Sequence, residues 1–359
     1  MKIALVYDHL TQFGGAERVL QALASLWPDA PIYTTVYDER GTGGVFAGRT
    51  IRTSFIQSLP FATRYPHAYT PLLPLAVESW DFSAFDVVIS VAGPFAKGVV
   101  ALPHTRHVAY CLTPPRFLWE GSHAFWRHLG YPRIVRALVA PVQAYVRLWD
   151  AHAAQRATDM VAISRAVAER VRAYWGRVAP VIYPPVRTDI FTPVPQPRRD
   201  YFLAVGRLVS YKRFDVVVEA AQAAGAKLIV AGDGPERSRL ERLARGAITF
   251  VGRVSDAELR DLYANAQALI FPQEEDFGIV PVEAMACGTP VIAHARGGAT
   301  ETILDGVTGT LVHEQSVEAF ASAMHTFRGE TYTQEACRKR AEQFSTGVFL
   351  SRIQALFRG

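Results

Sequence analysis

Phe271-Pro-Gln-Glu-Glu275-Asp-Phe-Gly278-Ile-Val-Pro281-Val-Glu283-Ala-Met-Ala-Cys287-Gly288-Thr-Pro-Val-Ile292 is the stretch that decides the fold. A short apolar run from Ala268 to Phe271 reads as a buried strand, and a polar loop carrying Glu275 follows it. Pro281 stands in the first turn of a helix that Gly288 ends, and Pro290 to Ala293 forms the next apolar run. Strand, helix and strand in succession make a crossover unit, which implies parallel strands.

The same alternation extends in both directions. Lys2 to Tyr7, Val87 to Ser90, His107 to Cys111, Met160 to Ile163, Tyr201 to Val205, Lys227 to Ala231 and Ile248 to Val251 read as further buried strands. Helical patterns lie between them at Glu17–Leu26, Arg165–Trp175, Phe214–Ala224, Pro235–Arg245, Asp256–Ala264 and Pro281–Cys287. The expected fold class is α/β with two Rossmann-like, doubly wound domains. Their boundaries are expected at 1–184 and 185–330, joined through the proline-rich stretch 183–199. Ligands of open α/β sheets collect beyond the carboxyl ends of the strands, so two facing domains imply a cleft site.

Composition agrees with this size and class. The 359 residues are 50% hydrophobic and 20% charged, which excludes a disordered or fibrous chain and suits two domains. The net charge of +5 is uneven: residues 1–185 carry 18 basic and 12 acidic side chains, whereas 186–359 carry 20 and 21. Only two lysines precede Lys212, so an anionic substrate or surface fits better than nucleic acid. Cys111, Cys287 and Cys337 are odd in number and lack metal spacing, which favours a reducing cytoplasm. The opening apolar run is too short for a signal peptide and no apolar stretch reaches spanning length, so cytoplasmic localisation is expected.

Three segments carry chemistry. The exposed N–H groups of Phe277, Gly278, Ile279 and Val280 at a helix N-terminus form a seat for phosphate, flanked by Glu275 and Glu283 as acceptors for hydroxyls. A solvated loop Glu275 and a surface helix Glu283 are the plainer alternative. Val205-Gly-Arg207-Leu-Val-Ser-Tyr-Lys212-Arg-Phe-Asp215 puts a guanidinium fork and an ammonium at a strand end, a pairing suited to a diphosphate. A helix-initiating surface cluster is the competing reading. Thr11-Gln-Phe-Gly14-Gly15-Ala-Glu17-Arg18 supplies two glycines whose bare N–H groups can approach a ligand, or simply a tight turn.

Together these segments resemble the retaining two-Rossmann-domain (GT-B) glycosyltransferases of family 4. Ala231-Gly-Asp-Gly-Pro-Glu236, Phe250-Val-Gly-Arg-Val-Ser-Asp256 and Thr289-Pro-Val-Ile-Ala-His-Ala-Arg-Gly-Gly298 are similar to that family's connecting segments, in order. Gly14-Gly-Ala-Glu-Arg18 with Tyr110-Cys-Leu-Thr-Pro-Pro-Arg-Phe-Leu-Trp-Glu120 resembles its bacterial O-antigen and exopolysaccharide branch, often mannosyltransferases. The resemblance implies that Arg207 and Lys212 bind and neutralise the donor diphosphate, Glu275 holds donor-sugar hydroxyls, and Glu283 binds the ribose. It also implies that Gly278, Ile279 and Val280 present N–H groups, that the loop of Gly252, Arg253 and Val254 frames the nucleobase, and that Gly15 caps the phosphate. The last helix, about 331–357, is expected to return to the first domain. GDP-mannose is the implied donor, with a glycan or polyprenyl-linked acceptor.

The chain has no Asp-x-Asp motif, so side-chain cations are expected to do a metal's work and no cofactor is expected. It departs from the branch at Leu112, where branch members commonly carry His; His107, Arg116 and Glu120 are the candidate replacements on the acceptor side. His107 also reads as an ordinary strand histidine. Residues 113–149 combine Arg116, Arg127, Arg133, Arg136 and Arg147 with Phe117, Trp119, Phe125, Trp126, Tyr131, Tyr145 and Trp149. That mixture suits an anionic membrane headgroup layer, or an ordinary surface with its aromatics turned inward. A sugar-nucleotide epimerase and a non-catalytic nucleotide-sugar binding protein are the alternatives; product analysis with and without acceptor separates them. A nicotinamide-dependent dehydrogenase is disfavoured, because Gly232-Asp-Gly-Pro-Glu-Arg matches only half of its glycine fingerprint.

Overall fold

The computed structural model describes residues 1–120, 133–194 and 200–358, without the side chains of 133–138. The chain divides into two compact units, Met1–Tyr183 and Pro184–Gly359. In the first unit, β1 (Ile3–Tyr7), β2 (Ile32–Thr34), β3 (Ile51–Thr53), β4 (Val87–Ala92), β5 (Arg106–Cys111) and β6 (Asp159–Ala162) form one parallel sheet. Its order is β3-β2-β1-β4-β5-β6, so the winding reverses between β1 and β4. Every residue of β1 and β4 is buried, as expected when helices cover both faces.

The helices of this unit are α1 (Gly15–Leu26), α2 (Leu73–Glu78), α3 (Arg116–Trp119), α4 (Arg133–Arg156) and α5 (Arg165–Trp175). α1 starts on an extended Gly14, and the Glu17 carboxylate accepts the Gly14 N–H. α5 starts where the Ser164 hydroxyl accepts the Val167 N–H and stops at a left-handed Gly176.

The second unit repeats the plan with β7 (Phe202–Val205), β8 (Leu228–Ala231), β9 (Ile248–Gly252), β10 (Leu269–Phe271), β11 (Val291–His294) and β12 (Gly309–Val312). The order β12-β11-β10-β7-β8-β9 reverses between β7 and β10. Helices α6 (Phe214–Ala223), α7 (Arg237–Leu243), α8 (Asp256–Asn265), α9 (Ile279–Ala286), α10 (Ala299–Thr302) and α11 (Val317–Thr326) wind around it. One face is closed by Phe202, Phe214, Val217, Leu228, Val230 and Phe320, all buried. Each such side chain contributes about 1.5–3 kcal/mol through burial.

The C-terminal stretch differs from the sequence expectation. Two helices replace the single one: α12 (Gln334–Glu342) and α13 (Thr346–Ala355), parted where the Ser345 hydroxyl accepts the Val348 N–H and restarts the chain. Both count with the second unit rather than the first. Phe344 between them packs its ring on Phe277 at 5.5 Å, Ser345 bridges Val186, and the Arg338 guanidinium donates to the carbonyls of Thr188, Phe191 and Ala286. Among the described residues, no helix is long and apolar enough to cross a membrane.

Candidate active site at the strand ends

The reversal between β7 and β10 opens the carboxyl edge of the second sheet, and the loops leaving those two strands carry the candidate residues. Lys212 ends a short 3-10 turn, Ser210–Lys212, and Glu275 sits in the loop after β10. Their side chains meet across the reversal, with Lys212 Nζ 2.7 Å from Glu275 Oε1 and exposures of 13% and 24%. The structure therefore brings together two of the three residues expected to act on the donor. The third, Arg207, stands exposed on the same loop.

Glycines fix both loops. A Cβ on Gly232 would collide with the Gly206 carbonyl and one on Gly234 with that of Leu208, so bare backbone of the β8 turn lies against the Arg207 loop. Leu208 N donates to Asp233 O at 3.0 Å and Glu236 N to Leu208 O at 3.1 Å, which locks the two turns together. On the other side, a Cβ on Gly297 would strike the Glu275 carbonyl, which already accepts the Gly298 N–H at 2.8 Å. Side chains at these points would push the loops apart, so glycine is what lets them hold Lys212 and Glu275 in register.

Gly278 takes a left-handed conformation (φ 82°) as the N-cap of α9, and no side chain caps the helix. The N–H groups of Gly278, Ile279 and Val280 thus open a helix start whose partial positive charge favours an anion. Phe277 is buried beneath them against Phe344. Glu283 is buried as well, contrary to a surface helix residue, and its Oε2 accepts the Tyr263 hydroxyl at 3.2 Å. The expected nucleobase loop follows a left-handed Gly252, with Arg253 exposed and Val254 half-buried. Cys287 is buried, and burial first and the neighbouring Glu283 next push its thiol up to about 12.

In the first unit the expected donor glycines behave differently. The Gly14 N–H is taken by Glu17 Oε2 at 2.8 Å, and the other oxygen of Glu17 accepts the Tyr7 hydroxyl at 2.8 Å. Gly14 therefore offers no bare donor; Gly15 is the first helical residue of α1. The structure also overturns His107 as an acceptor-side residue. It lies near the amino end of β5, fully buried, with Nε2 2.8 Å from Ser90 Oγ, and burial lowers its pKa to about 4. Arg116 and Glu120 do come together at 3.7 Å beyond the carboxyl end of β5, joined by Arg170 of α5, which is 3.5 Å from Glu120 and donates to Thr113. Leu112 precedes them, its N–H held by Ala92.

Sequence reading passed over three polar groups at the β1/β4 reversal. Asp8, directly after β1, is buried and accepts the N–H groups of Phe95 (2.9 Å) and Ala96 (2.5 Å). Burial, partly offset by those N–H groups and Lys97, pushes its carboxyl up to about 6. His9 follows, with Nδ1 2.5 Å from Thr35 Oγ1. Lys97 is fully buried 2.5 Å from Asp150 and 4.8 Å from the Trp175 ring centre, while Asp150 also accepts the indole N–H groups of Trp119 and Trp175. For Asp8 and His9 the available signal was their position directly after β1; Lys97 lies in a turn further past β4.

Of the basic and aromatic stretch 113–149, Trp119 and Trp149 turn inward, donating to Asp150 and Glu78, while Tyr145 is exposed. Phe125, Trp126, Arg127 and Tyr131 lie outside the described residues, as do the side chains of Arg133 and Arg136. Among the described residues no group of three His, Cys, Asp or Glu side chains is placed to hold a metal ion.

Residues 186–344 match the sequence profile of the family Glycosyl transferases group 1. The D-inositol 3-phosphate glycosyltransferase of Mycobacterium tuberculosis (strain ATCC 25618 / H37Rv) is 37% identical over 167 residues, which is 40% of this chain and 35% of that protein. The same figures hold for the enzyme of Mycobacterium bovis (strain BCG / Pasteur 1173P2), so the match spans about a third of the curated relatives' length. Across the whole chain the fold is shared with Anabaena Alr3699/HepE, solved with UDP and glucose (TM-score 0.73, 20% identity, 99% of each chain). It is shared too with sucrose-phosphate synthase from Thermosynechococcus elongatus (TM-score 0.74, 18% identity, 100% of this chain and 98% of that one).

Proposed function

We propose that the protein is a retaining glycosyltransferase that moves a hexose from a nucleoside diphosphate sugar to a hydroxyl of a glycan or lipid-linked acceptor. The observation that carries this reading is the Lys212–Glu275 pair at the β7/β10 reversal, inside the region that matches the group 1 family. In the free protein each charge neutralises the other. A donor diphosphate, carrying more negative charge than one carboxylate, competes for the ammonium and adds the Arg207 fork. Glu275 is then free to accept hydroxyls of the hexose, and the N–H groups at the start of α9 receive phosphate oxygens. As the glycosidic bond to phosphate breaks, negative charge grows on the leaving diphosphate, and Lys212 and Arg207 stabilise it without a metal ion.

The family-4 resemblance makes GDP-mannose the first donor to test, and the neighbour solved with UDP and glucose makes UDP-glucose the second. The proposed setting is cell-surface polysaccharide synthesis at the cytoplasmic side of an anionic membrane. The exposed apolar side chains of Leu72, Leu75, Tyr145 and Leu148 support that surface role; sedimentation with phosphatidylglycerol vesicles, lost on adding salt, is the expected outcome. The functional test is nucleotide release. Lys212→Ala and Arg207→Ala should each lower kcat/KM for the accepted donor about 10²-fold or more at unchanged Tm. Unchanged turnover in both variants contradicts the proposed site.

A further inference from the structure

We infer that His9 is a substrate-binding residue at the carboxyl edge of the first sheet, its Nε2 accepting a hydrogen bond from a hydroxyl of a bound sugar. The inference rests on the glycosyl-transfer reading above and adds a residue that nothing in the sequence motifs assigns. It follows from proton counting. The Thr35 hydroxyl has a single proton and makes two contacts of 2.5 Å, one with the Asp8 carbonyl and one with His9 Nδ1. A carbonyl only accepts, so the proton in the first gap is the hydroxyl's own. The second gap then needs a proton from the ring, which places the hydrogen on Nδ1 and leaves Nε2 as a bare acceptor.

The surroundings hold that state. The Asp8 carbonyl is fixed by the Thr35 N–H at 3.0 Å, and the Thr35 carbonyl accepts the Ser54 hydroxyl at 2.9 Å, so Thr35, just past β2, is anchored to the residues that follow β1 and β3 on its two sides. The His67 ring packs edge-on against His9 at 5.4 Å. Burial first and His67 second, partly offset by the Asp8 backbone, push the His9 pKa down to about 3, so the ring stays neutral and orients a hydroxyl rather than taking its proton. Among the described residues Nε2 has no hydrogen-bond partner. Its place, directly beyond β1 at the β1/β4 reversal, is where an open α/β sheet receives a ligand.

Two measurements test this. Ring ¹⁵N–¹H correlation spectra of the full-length protein without ligand should show His9 as the neutral Nδ1–H tautomer at pH 7; an Nε2–H tautomer overturns the inference and leaves the transfer reading untouched. Release of UDP or GDP from a panel of nucleoside diphosphate sugars, with and without octyl glycosides as acceptors, should fall about tenfold in His9→Phe and be partly rescued in His9→Gln, whose amide oxygen can accept in place of Nε2. A loss in both conditions assigns the hydroxyl to the donor hexose, and a loss only with acceptor assigns it to the acceptor. Full activity in a folded His9→Phe overturns the inference alone. No release by the wild type from any donor overturns the transfer reading, and this inference with it.

Discussion

Asp8 shows how much one side chain at a strand end can hold. Its carboxylate gathers the N–H groups of the turn after β4, yet burial keeps its pKa up near 6 against an ordinary value of 3.8. The folded state binds that proton more tightly than the unfolded chain does. The group's favourable contribution is therefore complete below about pH 4 and lost as pH rises through about 6. Asp8→Asn keeps an oxygen acceptor and removes the titration. Chemical denaturation should find the variant gaining on the wild type by about 2 kcal/mol between about pH 4 and pH 7; a constant difference contradicts the buried charge. Lys97 and Asp150 pose the complementary case. With both buried, Asp150→Ala strands an ammonium and should cost about 3–5 kcal/mol of stability, read from denaturation midpoints.

At the scale of elements, the site is built by turns that pack backbone against backbone. Gly232, at φ 133° with the Gly206 carbonyl against its Cα, is the tightest of these. Gly232→Ala should lower Tm by several degrees and weaken nucleotide-sugar binding through the displaced Arg207 loop, whereas Gly225→Ala, strained at φ 63° but facing open space, should lower Tm and spare binding. Calorimetric titration separates the two. The buried strands, some only three or four residues long, were legible in the sequence as near-continuous apolar runs between turns. β2, β3 and β12 were not, because Thr34, Arg52, Thr53 and Thr310 break runs that are already short. The single helix expected at about 331–357 is broken at Ser345, whose hydroxyl caps α13, and Phe344 just before it packs on Phe277. Glu275 and Lys212 were legible from residue type and loop position, but their pairing depends on strand order, which puts β10 beside β7 although β8 and β9 intervene in the chain. Of the two readings of His107, the strand histidine is the one its position favours: it opens the apolar run of β5, at the end away from the carboxyl edge where ligands collect.

At the scale of the whole molecule, the same order of six parallel strands occurs twice, and in each unit the reversal point is bridged by a charged side chain. Lys212 reaches Glu275 in the second unit, and Asp8 reaches the turn after β4 in the first. The difference is one of solvent. Asp8 is sealed and serves the fold, while Lys212 and Glu275 keep partial exposure and can exchange partners with a ligand. The basic excess lies in residues 1–185, so the anion site proposed in the second half rests on a few placed cations rather than on net charge. A nucleoside diphosphate sugar is proposed to bind at the β7/β10 reversal. Thermal denaturation with GDP-mannose, UDP-glucose and related donors tests it most directly, because a ligand at about 100 times its Kd stabilises by about 2.7 kcal/mol. Tm should rise with concentration for at least one donor, and the rise should be absent in Lys212→Ala. A rise of equal size in wild type and variant, or none with any donor, contradicts it.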